Sequence, residues 1–81
     1  VTAADRLQLL TRPGCHLCED MATALHDLGL QFDLLNVEED SALEAAYGNS
    51  LPVLMRGEHE VLRAPQSPRT LKRALRRSGV I

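Results

Sequence analysis

Leu7-Gln8-Leu9-Leu10-Thr11-Arg12-Pro13-Gly14-Cys15-His16-Leu17-Cys18 is the stretch that decides how this chain folds. Its first five residues form a short apolar run, the pattern of a buried strand, and Arg12-Pro13-Gly14 punctuates its end. From Cys15 onward the hydrophobic period changes. Leu17, Met21, Ala24, Leu25 and Leu28 recur at helical spacing and Gly29 supplies a stop. The spacing therefore predicts a helix with those five residues on its inner face and two cysteines in its first turn.

Working outward, Gln31 to Val37 reads as a second strand with Phe32, Leu34, Leu35 and Val37 buried. Ser41-Ala42-Leu43-Glu44 has the form of a capping box and opens a short helix that Gly48 closes. Val53-Leu54-Met55-Arg56 and Glu60-Val61-Leu62-Arg63 flank Gly57-Glu58-His59 as two arms of a hairpin. Ser67-Pro68 opens a last helix, with Leu71, Ala74 and Leu75 inward and Gly79 at its end. The first five residues read as a loose lead-in. A helix joins the first two strands, so they must run parallel through a right-handed crossover, whereas the hairpin strands are antiparallel. The expected class is α/β: a four-stranded mixed sheet with three helices, in the order β-α-β-α-β-β-α.

With 81 residues the chain has room for one domain, spanning 1–81. A domain of this size buries only about 60% of the surface its unfolded chain exposes, so little packing can be wasted. Trp is absent and Phe32 and Tyr47 are the only aromatics, so the core must be aliphatic. No apolar stretch approaches the roughly 20 residues of a membrane helix, and no charged-then-apolar leader with a cleavage site is recognisable. A cytoplasmic monomer without a membrane partner is expected. The net charge of −2 conceals an asymmetry: all eleven acids lie before residue 62, while 62–81 holds six of the nine bases and no acid. With no aromatic among these bases to stack on nucleotides, they read as a solvated helix face whose cations complement its C-terminal dipole. Nucleic acid is not expected as a partner.

The chemistry lies in the C-x-x-C pair. A lone pair of this kind, directly after a strand and opening a helix, reads as redox rather than metal-binding. Unpaired N–H groups and the helix dipole favour an anion at Cys15. His16 beside it and Arg12 three residues upstream add two cations to the same loop. Such surroundings can lower a thiol pKa from about 8.5 into the range of about 3.5–7.5. At roughly 100° per residue, Cys15 falls far from the apolar face and Cys18 much nearer it. Cys15 is thus expected to be the exposed attacking thiolate, and Cys18 the sheltered thiol that resolves the mixed disulfide. Glu19, one turn on, is a candidate for modulating that charge or relaying a proton. Structural zinc needs four ligands, and no second ligand pair accompanies this one, so no metal is expected. Two buried, inert cysteines and a cluster of iron and sulfur shared between chains are the remaining readings of the pair.

Leu51-Pro52-Val53 is the second informative stretch. Proline before a strand is ordinary turn punctuation, usually trans. In a redox domain, a cis bond here would bring the loop across from the cysteines and leave the Leu51 backbone free to pair with an extended substrate by strand addition.

On Arg12-Pro13-Gly14-Cys15-His16-Leu17-Cys18-Glu19, on Tyr47-Gly48-Asn49-Ser50-Leu51-Pro52-Val53-Leu54 and on the element order, the chain resembles the glutaredoxin-like branch of the thioredoxin superfamily. It looks especially like small bacterial glutaredoxin-like proteins with a C-H-L-C motif, and the likeness runs along nearly its whole length, from about Leu7 to Leu75. The resemblance implies a thioredoxin-like fold, a thiol–disulfide oxidoreductase, Cys15 as nucleophile, Cys18 as resolving thiol and a cis Pro52. Arg12 matches the basic residue that glutathione-using members carry three before the first cysteine. Their Gly-Gly-x-Asp stretch after the last strand is replaced by Ala64-Pro65-Gln66-Ser67. No tightly bound cofactor is therefore expected, and glutathione is expected to act only as a generic small thiol. The expected partner is a disulfide-containing protein or small thiol. The alternative is a redox-inactive binding module, or the protein sharing iron and sulfur, on the same fold.

Overall fold

The computed structural model describes residues 6–63 and 67–81. The lead-in expected over 1–5, and Ala64-Pro65-Gln66, lie outside the described residues. The elements follow the expected order: β1 (Leu7–Thr11), α1 (His16–Asp27), β2 (Phe32–Asn36), a single 3-10 turn (Val37–Glu39), α2 (Ser41–Tyr47), β3 (Val53–Arg56), β4 (His59–Arg63) and α3 (Pro68–Arg77).

The four strands form one sheet in the order β2-β1-β3-β4. β1 and β2 are parallel, with Leu9 opposite Leu34, and β3 is antiparallel to both β1 and β4. Side chains alternate across a strand, so β1 divides its leucines between two cores. Leu7 and Leu9 join Leu54 on one face, under Met21 and Leu25 of α1 and Leu71 and Leu75 of α3. Leu10 joins Val53, Met55 and Val37 on the other face, where Leu43 and Tyr47 of α2 cover them. Both α1 and α3 end in the same way. Gly29 and Gly79 take positive φ, and the following N–H reaches back to Leu25 and Leu75 carbonyls respectively, closing the helix ends without the Cβ penalty.

Several expectations need correction. Leu17 is 57% exposed rather than part of the inner face. The buried residues of α1 are Cys18, Met21 and Leu25, which centre the core face about 70° from Leu17 on the helical wheel. Leu34 is also exposed, at 61%. It sits mid-way along an edge strand, and α1 lies over β1 rather than over β2. The second strand stops at Asn36, and Val37 is buried from the 3-10 turn that follows. The box expected at Ser41 shifts by one residue: Asp40 is the cap, its carboxylate accepting the N–H groups of Ala42 and Leu43 at 3.0 and 3.2 Å. A carboxylate reaches two unpaired N–H groups at once and carries charge that suits the dipole, so Asp40 outcompetes the hydroxyl. The hairpin turn is Gly57-Glu58, with Gly57 at φ +64°. β4 begins at His59 and carries an irregularity opposite Leu54 and Met55. Ser67 caps α3 as expected, accepting the Thr70 N–H at 3.2 Å.

Candidate active site

Cys15 and Cys18 form a disulfide with a Cα–Cα separation of 5.2 Å. β1 delivers the loop that holds them: the Cys15 N–H donates to the Arg12 carbonyl at 3.3 Å, and Gly14 between them takes φ +79°. Cys15 is the N-cap of α1, with extended backbone (φ −87°, ψ 103°). Its sulfur accepts the Cys18 N–H at 3.2 Å, one of the four donors that a helix start leaves unpaired. Cys15 is half-buried while Cys18 is only 2% exposed. Cys15 is therefore the more reachable residue, its sulfur held by an N–H donor, while Cys18 lies on the buried face of α1 with Met21 and Leu25.

The charged neighbours divide. The His16 ring is 94% exposed, with Nδ1 3.6 Å from Oε2 of Glu19, so the carboxylate faces the imidazole beside Cys15. Arg12 meets Cys15 through its backbone. Its guanidinium lies against α2 instead, with Nη2 3.8 Å from Oε2 of Glu44 and packed over Gly48. Arg12 Nε is buried without a hydrogen-bond partner among the described residues. The arginine thus ties the cysteine loop to the last turn of α2.

The Leu51–Pro52 peptide bond is cis. The register pairing Leu10 with Val53 continues outward to set Pro52 beside Thr11. The loop before β3 and the loop carrying the cysteines therefore lie at one end of the sheet. Among the described residues, the Leu51 N–H and C=O make no main-chain hydrogen bond. Arg63, which the sequence reading did not single out, secures this loop. It grips both oxygens of Glu60, donates to Ser50 Oγ at 3.2 Å, and lies 5.7 Å from the centroid of the Tyr47 ring. The hydrogen bond from Arg63 holds the Glu60 carboxyl below its ordinary value, and the same bond raises Arg63. The pairing of Val53 with Arg63 was the signal for this role, and it needs the hairpin register to be read. No cluster of three or more His, Cys, Asp or Glu side chains among the described residues is arranged to hold a metal ion. None of the described helices is long and apolar enough to cross a membrane.

Residues 6–77 match the sequence pattern of the glutaredoxin-like domain family (DUF836). The chain belongs to that family. Among solved structures, the glutaredoxin-like chain is similar to the X-ray structure of protein XcR50 from X. campestris. The identity is 33% and the TM-score 0.77, over 88% of this chain and 96% of that one. It is also similar to the holo form of glutaredoxin C1 from Populus tremula x tremuloides, at 16% identity and TM-score 0.61, over 96% and 83% of the two chains. Thioredoxin 1 from Thermosipho africanus superposes at 16% identity and TM-score 0.53, over 91% and 98%. These two likenesses establish a shared fold: the glutaredoxin-like domain is an α/β protein of thioredoxin-like architecture. No curated protein matches it.

Proposed function

We propose that this protein is a thiol–disulfide oxidoreductase in which Cys15 is the nucleophile and Cys18 the resolving thiol. The observation that carries the reading is the asymmetry of the pair: a half-buried Cys15 at a helix N-cap, its sulfur accepting an N–H, against a buried Cys18. In the reduced protein the same N–H and the helix dipole stabilise a thiolate at Cys15. That thiolate attacks one sulfur of a target disulfide. A bond forms between Cys15 and that sulfur, the target S–S bond breaks, and the second target sulfur leaves as a thiolate. Cys18, deprotonated, then attacks Cys15 Sγ, and the first target sulfur leaves in turn. Two electrons pass to the target, and the Cys15–Cys18 disulfide is the oxidised product. An external dithiol resets the pair.

His16 and Arg12 divide their work in this reading. His16, exposed and beside Cys15, adds a cation when protonated, and Glu19 moderates it. Arg12 acts by fixing the loop to α2. The Leu51 backbone and Pro52 form the platform on which an extended target chain pairs beside Cys15. With Ala64-Pro65-Gln66-Ser67 in place of a Gly-Gly-x-Asp stretch, glutathione meets Cys15 as an unspecific thiol. The partner is a disulfide-bearing protein or small thiol.

The test is a disulfide-reduction assay driven by dithiothreitol. Turnover is expected in the wild type and none in Cys15→Ser, while Cys18→Ser should accumulate a mixed disulfide on Cys15. Turnover with glutathione should be poor. An unimpaired Cys15→Ser variant would overturn the assignment, and rapid glutathione-dependent turnover would overturn the reading of the missing stretch.

A further inference from the structure

The exposed side of α3 carries Arg69, Lys72, Arg73, Arg76 and Arg77, whose long side chains border a shallow, open groove of about 450 Å³. The protein pairs its other arginines internally: Arg6 with Asp33, Arg12 with Glu44, Arg63 with Glu60, and Arg56 with the Ser78 carbonyl. Among the described residues, none of the five groove cations has a carboxylate within 4 Å. The helix dipole explains Arg76 and Arg77, which lie in the last turn, but it opposes Arg69 at the first turn and gives Lys72 and Arg73 nothing. The five also repel one another. Arg69 faces Lys72 and Arg73 at i+3 and i+4, and Arg73 faces Arg76 and Arg77 in the same way, each such pair destabilising the helix. A self-repelling face without an internal counter-charge is open to a counter-charge from outside.

The fold brings the start of this face to the cysteine end of the sheet. β4 runs parallel to β1, so it ends at Arg63 on the Cys15 end of the sheet. At the other end of α3, Arg56 of β3, whose register partner is Leu7 at the start of β1, holds the Ser78 carbonyl at 2.9 Å. Arg69 therefore lies toward the cysteines and Arg77 away from them, about 12 Å apart at 1.5 Å per residue. An extended segment of about four residues spans that length.

We propose that the α3 groove docks an acidic segment of the protein whose disulfide Cys15 attacks, a reading that rests on the thiol–disulfide activity proposed above. Four of the five cations are arginines, whose planar forks pair with carboxylates through two hydrogen bonds. No aromatic lines the groove, so it lacks the stacking surface of a single-strand nucleic-acid site. The apolar side of α3 is spent on the core through Leu71 and Leu75, which leaves nothing to insert into a bilayer.

The experiment compares two synthetic peptides, each with one internal disulfide, followed by either four Glu or four Gln. With dithiothreitol as reductant, kcat/KM for the Glu peptide should exceed that for the Gln peptide by about tenfold in low salt. The preference should collapse to less than about twofold in 0.5 M salt, where the Debye length is only a few ångströms. Arg69→Glu/Arg73→Glu should abolish the preference while reducing the Gln peptide at the wild-type rate. This variant should melt no lower than the wild type, because the reversal turns the repulsions of 69 with 72, and of 73 with 76 and 77, into attractions and leaves only 69 and 73 like-charged. Equal kcat/KM for the two peptides in low salt would overturn the proposal. Anisotropy of a labelled, cysteine-free Glu peptide reads the groove alone. Binding there without reduction of either disulfide peptide would sink the oxidoreductase reading and leave the groove an acidic-peptide site, whereas no binding would sink the groove. Tighter binding of a single-stranded oligonucleotide, or of vesicles rich in anionic lipid, than of the Glu peptide would overturn the choice of partner.

Discussion

Replacing Gly48 by alanine should destabilise the domain through space rather than backbone strain. Gly48 has ordinary right-handed helical angles (φ −55°, ψ −27°), so its conformation is open to any residue. A Cβ there, however, would stand 2.6 Å from the Glu44 carbonyl oxygen and 2.9 Å from Arg12 Nη2. The guanidinium is the end of a flexible chain and can yield. The carbonyl cannot, because it accepts the Gly48 N–H at 2.8 Å and closes α2. Opening that hydrogen bond costs about 0.5–1.5 kcal/mol, and the accompanying overpacking about 1–3 kcal/mol. Stiffening the unfolded chain returns about 0.4–1 kcal/mol. The net loss is roughly 1–3 kcal/mol, and at about 4–8 °C per kcal/mol for a domain of this size the midpoint should fall by about 5–20 °C. Thermal unfolding followed by circular dichroism, with urea titration as a cross-check, measures it. The Arg12→Ala background should lose slightly less on Gly48→Ala, since one of the two close contacts is gone. A midpoint equal to or above the wild type would show that the Glu44 carbonyl leaves room for a methyl group at position 48.

Other substitutions test the corrected packing. Leu25→Ala should cost about 2–5 kcal/mol as a fully buried truncation, whereas Leu17→Ala, at an exposed site, should cost within about 0.5 kcal/mol; urea midpoints decide. Asp40→Ala should lose about 0.5–2 kcal/mol with the α2 cap, and Ser41→Ala much less, which thermal melts can rank. The bond from Arg63 lowers the Glu60 carboxyl in the folded state. Its contribution is therefore present above the unfolded carboxylate value of about 4.3 and is lost as pH falls through the lower folded value. Stability against pH should show a small acid-side loss that Glu60→Gln removes, and an unchanged profile in that variant would contradict it.

Much of the fold was legible because strong local signals agreed with one another. The change of hydrophobic period at Cys15, the glycines at 29 and 79 and the serine–proline start of α3 each had one consistent reading. The misreadings share a cause: periodicity reports which residues could be buried, whereas burial depends on what lies opposite. Leu34 alternates correctly along its strand but stands at a sheet edge beyond the cover of α1. Leu17 keeps helical spacing with Met21 yet lies on the flank of a face centred near Leu25. Arg12 was legible as a cation near Cys15 in sequence, but not as one whose guanidinium packs on α2, because that contact spans a loop, a strand and a crossover. Arg63 was hidden for the same reason; its link to Ser50 and Tyr47 exists only once the hairpin register places β4 beside β3.

If the N-cap position makes Cys15 the reactive thiolate, the pH dependence of its alkylation will report it. In reduced Cys18→Ser, the rate of iodoacetamide modification at Cys15 should reach half its plateau well below the ordinary thiol value of about 8.5. In reduced Cys15→Ser, Cys18 should react slowly throughout, being enclosed. A midpoint for Cys15 at or above that of a free thiol, or a Cys18 that reacts faster than Cys15 at neutral pH, would show that the helix start does not make Cys15 the nucleophile.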